Sequence, residues 1–175
     1  VADISNSFFG RIGRVIEDEA EKHGYTLIFC SCDEDKERLG RQINVLADKQ
    51  VDGLIIAPTE GSAPFIKELL DQDYPVVLID RYFEELECPV VMLDNRKAAY
   101  DTVSYLLAQG YKNIAYVNYN LNLMHFNDRL QGYAEALNDH GLGCSSSMVK
   151  EVDFDELENS MKGVIDELFT QPEKP

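Results

Sequence analysis

No run of apolar residues in this sequence approaches the ~18 to 20 needed to cross a bilayer, although 45% of its 175 residues are hydrophobic. They come in short clusters, and no charged-then-apolar secretory leader opens the chain. A soluble globular protein is expected, with enough length for one large domain or two small lobes. Positive charge is also scarce: 16 Lys and Arg stand against 32 Asp and Glu, a formal net charge of -16. Such a surface repels a nucleic-acid backbone, so these residues are not expected to bind DNA themselves. Metal-binding side chains are few, since His23, His125 and His140 lie far apart. Cys30, Cys32, Cys88 and Cys144 show neither the spacing of a disulfide framework nor that of a zinc site. Reduced, buried thiols in a cytosolic protein are expected. The chain opens on Val1 rather than Met, which indicates a processed chain or an excised piece of a longer one.

The common catalytic devices of α/β enzymes are missing too. No G-x-G-x-x-G follows an apolar run, no G-x-x-x-x-G-K-[ST] occurs, and no G-x-S-x-G nucleophile turn is present. Asp80 and Asp94 end apolar runs, where a carboxylate can hold a metal or a phosphoryl group. They lack the acidic partner, lysine and threonine which that chemistry needs in order. No catalytic residue, metal or cofactor is therefore expected, and the chain is not expected to be an enzyme.

What is present is an alternation of apolar runs with stretches of helical period, the pattern of an α/β fold with a parallel sheet. The strand candidates are TLIFCSC (26–32), DGLIIAP (52–58), PVVLIDR (75–81), PVVMLDN (89–95), NIAYVNY (113–119) and MVKEVDF (148–154). Several are almost continuous in β-forming residues, as strands covered on both faces are. Six helical stripes separate or flank them: Phe9, Ile12, Val15, Ile16 and Ala20; Leu39, Ile43 and Leu46; Phe65, Ile66, Leu69 and Leu70; Ala99, Val103, Leu106 and Leu107; Leu130, Tyr133, Ala134 and Leu137; and Leu157, Met161, Val164, Ile165 and Leu168. Gly24, Gly110 and Gly141 follow three of these stripes, where a left-handed residue closes a helix. Only YFEELEC (82–88) joins two strand candidates without room for a helix.

Polar and aromatic residues gather at the carboxyl ends of the strand candidates, where open α/β sheets bind ligands. They are Asn6 to Phe9, Asp80 and Arg81, Asp94 and Asn95, Asn118 to Asn120, and Asp153 and Phe154. Each has a plainer alternative. Phe8 and Phe9 open an amphipathic helix and can be core. Asp94 and Asn95 can simply cap the next helix. Phe154 can be a strand-end core residue. In HFNDRLQGYAEAL (125–137), Asp128 with Gln131 reads as a capping box that makes Arg129 the first helical residue, an unfavourable place for a cation unless it serves a ligand.

VADISNSFFGRIGRVIEDEAEKHGYTLIFCSCDEDKERLGRQINVLADKQVDGLIIAP, then PVVLIDR, LDNRKAAYDTVSYLLAQGYKNIAYV and RLQGYAEAL, resemble in order the effector-binding domain of LacI-type transcriptional regulators. The resemblance implies a periplasmic-binding-protein-like type I fold, with parallel sheets flanked by helices and a ligand cleft between two lobes. The first lobe (1–110) would be nearly complete and the second (111–175) partial. It implies a small-molecule effector, a sugar or related metabolite, contacted by Asn6, Ser7, Phe8, Phe9, Lys97, Arg129 and Phe154. Arg129 matches the arginine of the R-x-x-G-Y pattern, and Phe154 an aromatic that stacks on the effector. A cytoplasmic homodimer is implied, pairing near the first helix and TLIFCSC. DNA would be contacted only through an N-terminal helix-turn-helix outside these residues. A free-standing periplasmic sugar-binding protein for transport or chemotaxis shares the fold and is the alternative.

Overall fold

The computed structural model describes residues 1–171 and 174–175. Two compact units divide the chain, Val1–Val91 and Met92–Pro175. Both combine parallel strands with helices, as the alternating pattern predicts.

The first unit contains helices α1 (Ser7–Lys22), α2 (Lys36–Asp48) and α3 (Ala63–Asp71) and strands β1 (Leu54–Ile56), β2 (Val76–Ile79) and β3 (Val90–Val91). The strands are parallel in the order β1-β2-β3, with Leu54 opposite Val76 and Leu78 opposite Val90. Helix α1 begins where the Asn6 side chain accepts from the Phe8 N–H at 3.0 Å, and Asp35 caps α2 in the same way through the Arg38 N–H. Such caps satisfy donors that the helix itself leaves unpaired. Leu39 and Ile43 of α2 and Ile66 and Leu69 of α3 meet Leu54, Ile56, Val76 and Leu78 in one core. Val15, expected in the buried stripe of α1, is exposed.

One expected strand is absent among the described residues. Segment 26–32 carries no strand assignment, and its backbone meets Val1 and Ala2. The Val1 ammonium donates to the Cys30 carbonyl at 2.7 Å, while the Cys32 and Glu34 N–H groups donate to the Val1 and Ala2 carbonyls at 3.0 Å each. Beyond that contact an apolar groove of about 740 Å³ opens, lined by Ile12, Ile16, Phe29, Leu46, Ile55 and Val77 among others. Ile55 is exposed, so β1 is not covered on both faces as its composition suggests.

The second unit contains α4 (Asn95–Ala108), β4 (Tyr116–Tyr119), α5 (Met124–Asp139), β5 (Val149–Val152) and α6 (Leu157–Thr170). Strands β4 and β5 pair in parallel from Tyr116 opposite Val149 to Tyr119 opposite Val152. Helices α4 and α5 pack through Val103, Tyr133, Ala136 and Leu137. They approach tightly at Gly132, where a Cβ would lie 2.1 Å from the Arg96 carbonyl oxygen. On α6, Val164 and Leu168 bury against Met148 and Val152, whereas Leu157 and Ile165 of the same expected stripe are exposed. Gly24, Gly110 and Gly141 have φ of 79°, 95° and 74°, the left-handed closures their positions predict. All four cysteines are free thiols, and Cys144 is exposed rather than buried. Among the described residues, no helix is long and apolar enough to cross a membrane, and no three His, Cys, Asp or Glu side chains gather as a metal site.

Candidate ligand-binding site

At the carboxyl edge of the first unit, the four expected site residues separate by role. Asn6 spends its side-chain oxygen on the helix cap, and Ser7 begins α1 in an exposed position. Phe9 is core, 2% exposed and packed with Ala2, Ala57 and Ile79; Phe8 is 46% exposed and meets the Phe9 ring edge-on at 5.3 Å. Of the pair, only Phe8 presents an aromatic surface. Beside Phe9 lies the Arg81 guanidinium, 6.0 Å from the ring centroid. Arg81 follows β2 and is buried, donating from Nη1 and Nη2 to both Glu34 oxygens at 2.7 Å and from Nη1 to the Pro58 carbonyl at 3.1 Å. Its Nε sits 3.6 Å from the Asp80 carboxylate, too long for a hydrogen bond but close enough for ionic attraction. Arg81 thereby ties together the chain segments that follow 26–32, β1 and β2. Asp33, Glu34 and Asp80 hold left-handed backbone, with φ of 52°, 59° and 66°. Side-chain-bearing residues in that region carry strain, which tends to gather at functional sites.

In the second unit, Asp94 caps α4 by accepting from the Lys97 N–H at 2.9 Å, the plainer of the two roles its position allowed. The Lys97 side chain is exposed and pairs one turn along with Asp101 at 2.5 Å, which holds its ammonium above the ordinary lysine range. Among the described residues, no hydrogen bond or ion pair joins Lys97 to Arg129 or Phe154. Helix α5 starts at Met124, with Leu123 at the cap position and no side-chain cap bond. Arg129 therefore lies in the second turn, and the capping box read from Asp128 and Gln131 does not form. Burial decides this: Leu123, His125 and Phe126 are all buried, and docking them draws the helix start upstream of the polar signal. Arg129 is thus clear of the first turn of its own helix, and its guanidinium instead meets Asn95, the first residue of α4.

Two sequence-expected residues, Arg129 and Phe154, stand at opposite ends of one aromatic row. Phe154, following β5, meets Tyr119 at the end of β4 edge-on at 5.3 Å; Tyr119 and Phe126 are 6.0 Å apart; and the Arg129 guanidinium carbon lies 5.9 Å from the Phe126 centroid. Tyr119 and Phe126 were missing from the expected set, although Tyr119 stands within a strand-end cluster and Phe126 lies three residues before Arg129 on the same helix face. Arg129 Nε donates to Asn95 Oδ1 at 2.7 Å. Tyr116 completes the floor, its hydroxyl donating to the Phe126 carbonyl at 3.2 Å; burial pushes its phenol upward in pKa and Arg129 pulls it back. Phe126 is buried and backs the row, while Tyr119 and Phe154 are half-buried and keep part of their faces open; flat apolar faces beside a planar five-donor cation suit a small polyhydroxylated ring, which offers apolar C–H faces and a polar rim.

Residues 1–174 match the family of periplasmic binding proteins and the sugar binding domain of the LacI family. Catabolite control protein A of Priestia megaterium is 31% identical over 176 residues, covering all of this chain and 52% of that protein. The ribose operon repressor of Halalkalibacterium halodurans is 32% identical over 154 residues, covering 88% of this chain and 44% of that protein. The chain thus spans about half the length of the curated relatives it matches. Among solved structures, transcription regulator CcpA of Lactococcus lactis superposes with a TM-score of 0.86 at 26% identity, over 98% of this chain and 63% of that one. With its parallel sheets, flanking helices and ordered strand-end residues, the chain belongs to the LacI family, as part of its periplasmic-binding-protein-like sugar-binding domain.

Proposed function

We propose that the chain is the effector-binding module of a cytoplasmic LacI-type regulator, taking a small sugar or related metabolite without chemical turnover. The observation that carries this is the row of Phe154, Tyr119 and Phe126 ending on Arg129, whose Nη donors make no hydrogen bond among the described residues. In the first unit, Phe8 supplies an exposed aromatic face near the strand ends. The relatives are regulators, which favours this reading over a periplasmic transport protein. Asn6, Ser7 and Lys97 belong to the proposal more weakly: Asn6 is engaged as a cap and Lys97 with Asp101. Homodimerisation, an organisation in two lobes and DNA contact through a helix-turn-helix outside these residues are part of the same reading. A ligand acts in such a module only through unequal affinity for alternative arrangements of the protein.

Because one relative is named a ribose operon repressor, D-ribose is the first probe. Titration calorimetry should detect saturable binding of D-ribose or of another member of a panel of pentoses, hexoses and nucleosides. A charge-assisted hydrogen bond contributes about 1.5 to 3 kcal/mol, so Arg129→Ala is expected to weaken binding between tenfold and a hundredfold. The melting temperature without ligand should fall only slightly, as Asn95 loses one partner. Absence of binding across the whole panel would refute the reading, as would sugar turnover that survives purification.

A further inference from the structure

The two buried-edge arginines of this protein are held in opposite ways. The Arg81 guanidinium is consumed, with both terminal nitrogens on Glu34 and Nε beside Asp80. Arg129 is held by one bond from Nε to a neutral carboxamide, and its terminal nitrogens make no hydrogen bond among the described residues. That carboxamide belongs to Asn95, 1% exposed at the first position of α4. Asn95 is itself oriented, because its Nδ2 donates to the Leu93 carbonyl at 3.0 Å and so directs Oδ1 to Arg129. A buried amide with both ends engaged has one rotamer and one flip state.

We propose that Asn95 is a positioning residue: it fixes Arg129 through Nε, so that Nη1 and Nη2 receive a ligand end-on as a two-donor fork with full positive charge. An aspartate at this place would hold the guanidinium as firmly but neutralise it, and would set a carboxylate against the Leu93 carbonyl. An alanine would free a side chain with four rotatable bonds, whose ordering would then weaken binding. The close approach of α4 and α5 at Gly132 serves the same geometry, since it brings Asn95 within reach of a residue one turn earlier on α5.

This inference rests on the ligand-binding reading above, and the test separates the two. First, the protein is labelled with ¹⁵N-arginine, and the Arg129 Nε–H resonance is assigned by its loss in Arg129→Ala. A slowly exchanging Nε–H is expected in the parent protein and in Asn95→Asp, and a rapidly exchanging one in Asn95→Ala. An unchanged resonance in Asn95→Ala would overturn the tether whether or not any sugar binds. Second, D-ribose affinity is measured in a double-mutant cycle. Asn95→Ala should weaken binding about tenfold in the parent and less than twofold in the Arg129→Ala background. Asn95→Asp should also weaken it, although the tether is kept. Equal losses in both backgrounds would show that Asn95 acts independently of Arg129, as a merely structural residue does, and would overturn the proposal. If the parent protein ignores D-ribose, it is the pentose assignment that fails, and the Nε–H exchange alone decides for or against Asn95.

Discussion

Gly132→Ala is expected to destabilise the second unit by about 3 kcal/mol, the upper part of the range for overpacking a close contact. The added Cβ would sit 2.1 Å from the Arg96 carbonyl oxygen, 2.9 Å from its carbonyl carbon and 3.0 Å from the Tyr100 nitrogen. All three atoms are backbone, so no side chain can swing aside, and the α4–α5 pair must separate. Separation would open the cluster of Val103, Tyr133, Ala136 and Leu137 and stretch the bond from the Tyr133 hydroxyl to the Ile114 carbonyl, now 2.7 Å. A domain's whole stability is about 5 to 15 kcal/mol, so such a loss is a large share of it. Urea unfolding followed by tyrosine fluorescence measures the change. A midpoint within experimental error of the parent would show that the helices accommodate the methyl group and that the close approach is not needed. In R-x-x-G-Y, then, the glycine and tyrosine serve helix packing, and the arginine is the member that this packing does not use.

Glu34→Ala is expected to cost a similar amount in the first unit, about 3 kcal/mol or more, because it strands a buried guanidinium. The side chains of Arg81 and Glu34 are 9% and 12% exposed, so water cannot replace the lost carboxylate. The left-handed backbone at Asp33 and Glu34 would also lose the tie that holds it. Replacing both partners, as in Arg81→Met with Glu34→Leu, should recover most of that stability, since apolar groups need no compensation in a buried place. Thermal melts of the single and paired variants test this. If Glu34→Ala melts with the parent protein, the ion pair is solvated in solution and contributes nothing.

Local signals carried much of the architecture. Each of the six α-helices among the described residues occurs where an apolar period marks it, and Gly24, Gly110 and Gly141 close helices with φ of 79°, 95° and 74°. Period and closure depend on neighbours within a few residues, which the sequence displays directly. Asp94 capping α4 is legible for the same reason. The ordered stretches from VADISNSFF to RLQGYAEAL placed the family, and that resemblance brought Arg129 and Phe154 into the candidate set.

Only tertiary structure decided the rest, because it turns on contacts between residues distant in sequence. TLIFCSC has the composition of a buried strand, yet a strand is made by pairing with a neighbour, which composition does not display, and no strand is assigned at 26–32. Phe8 and Phe9 are alike in sequence, but one turns to Ala57 and Ile79 while the other faces outward. The polar pair Asp128 and Gln131 signals a helix start by itself; the burial of Leu123, His125 and Phe126 outweighs it, because docking three side chains contributes more than a cap worth about 1 kcal/mol. Asn95 looked like part of a cap, and only the crossing of α4 over Gly132 makes it the partner of Arg129 across 34 residues of chain.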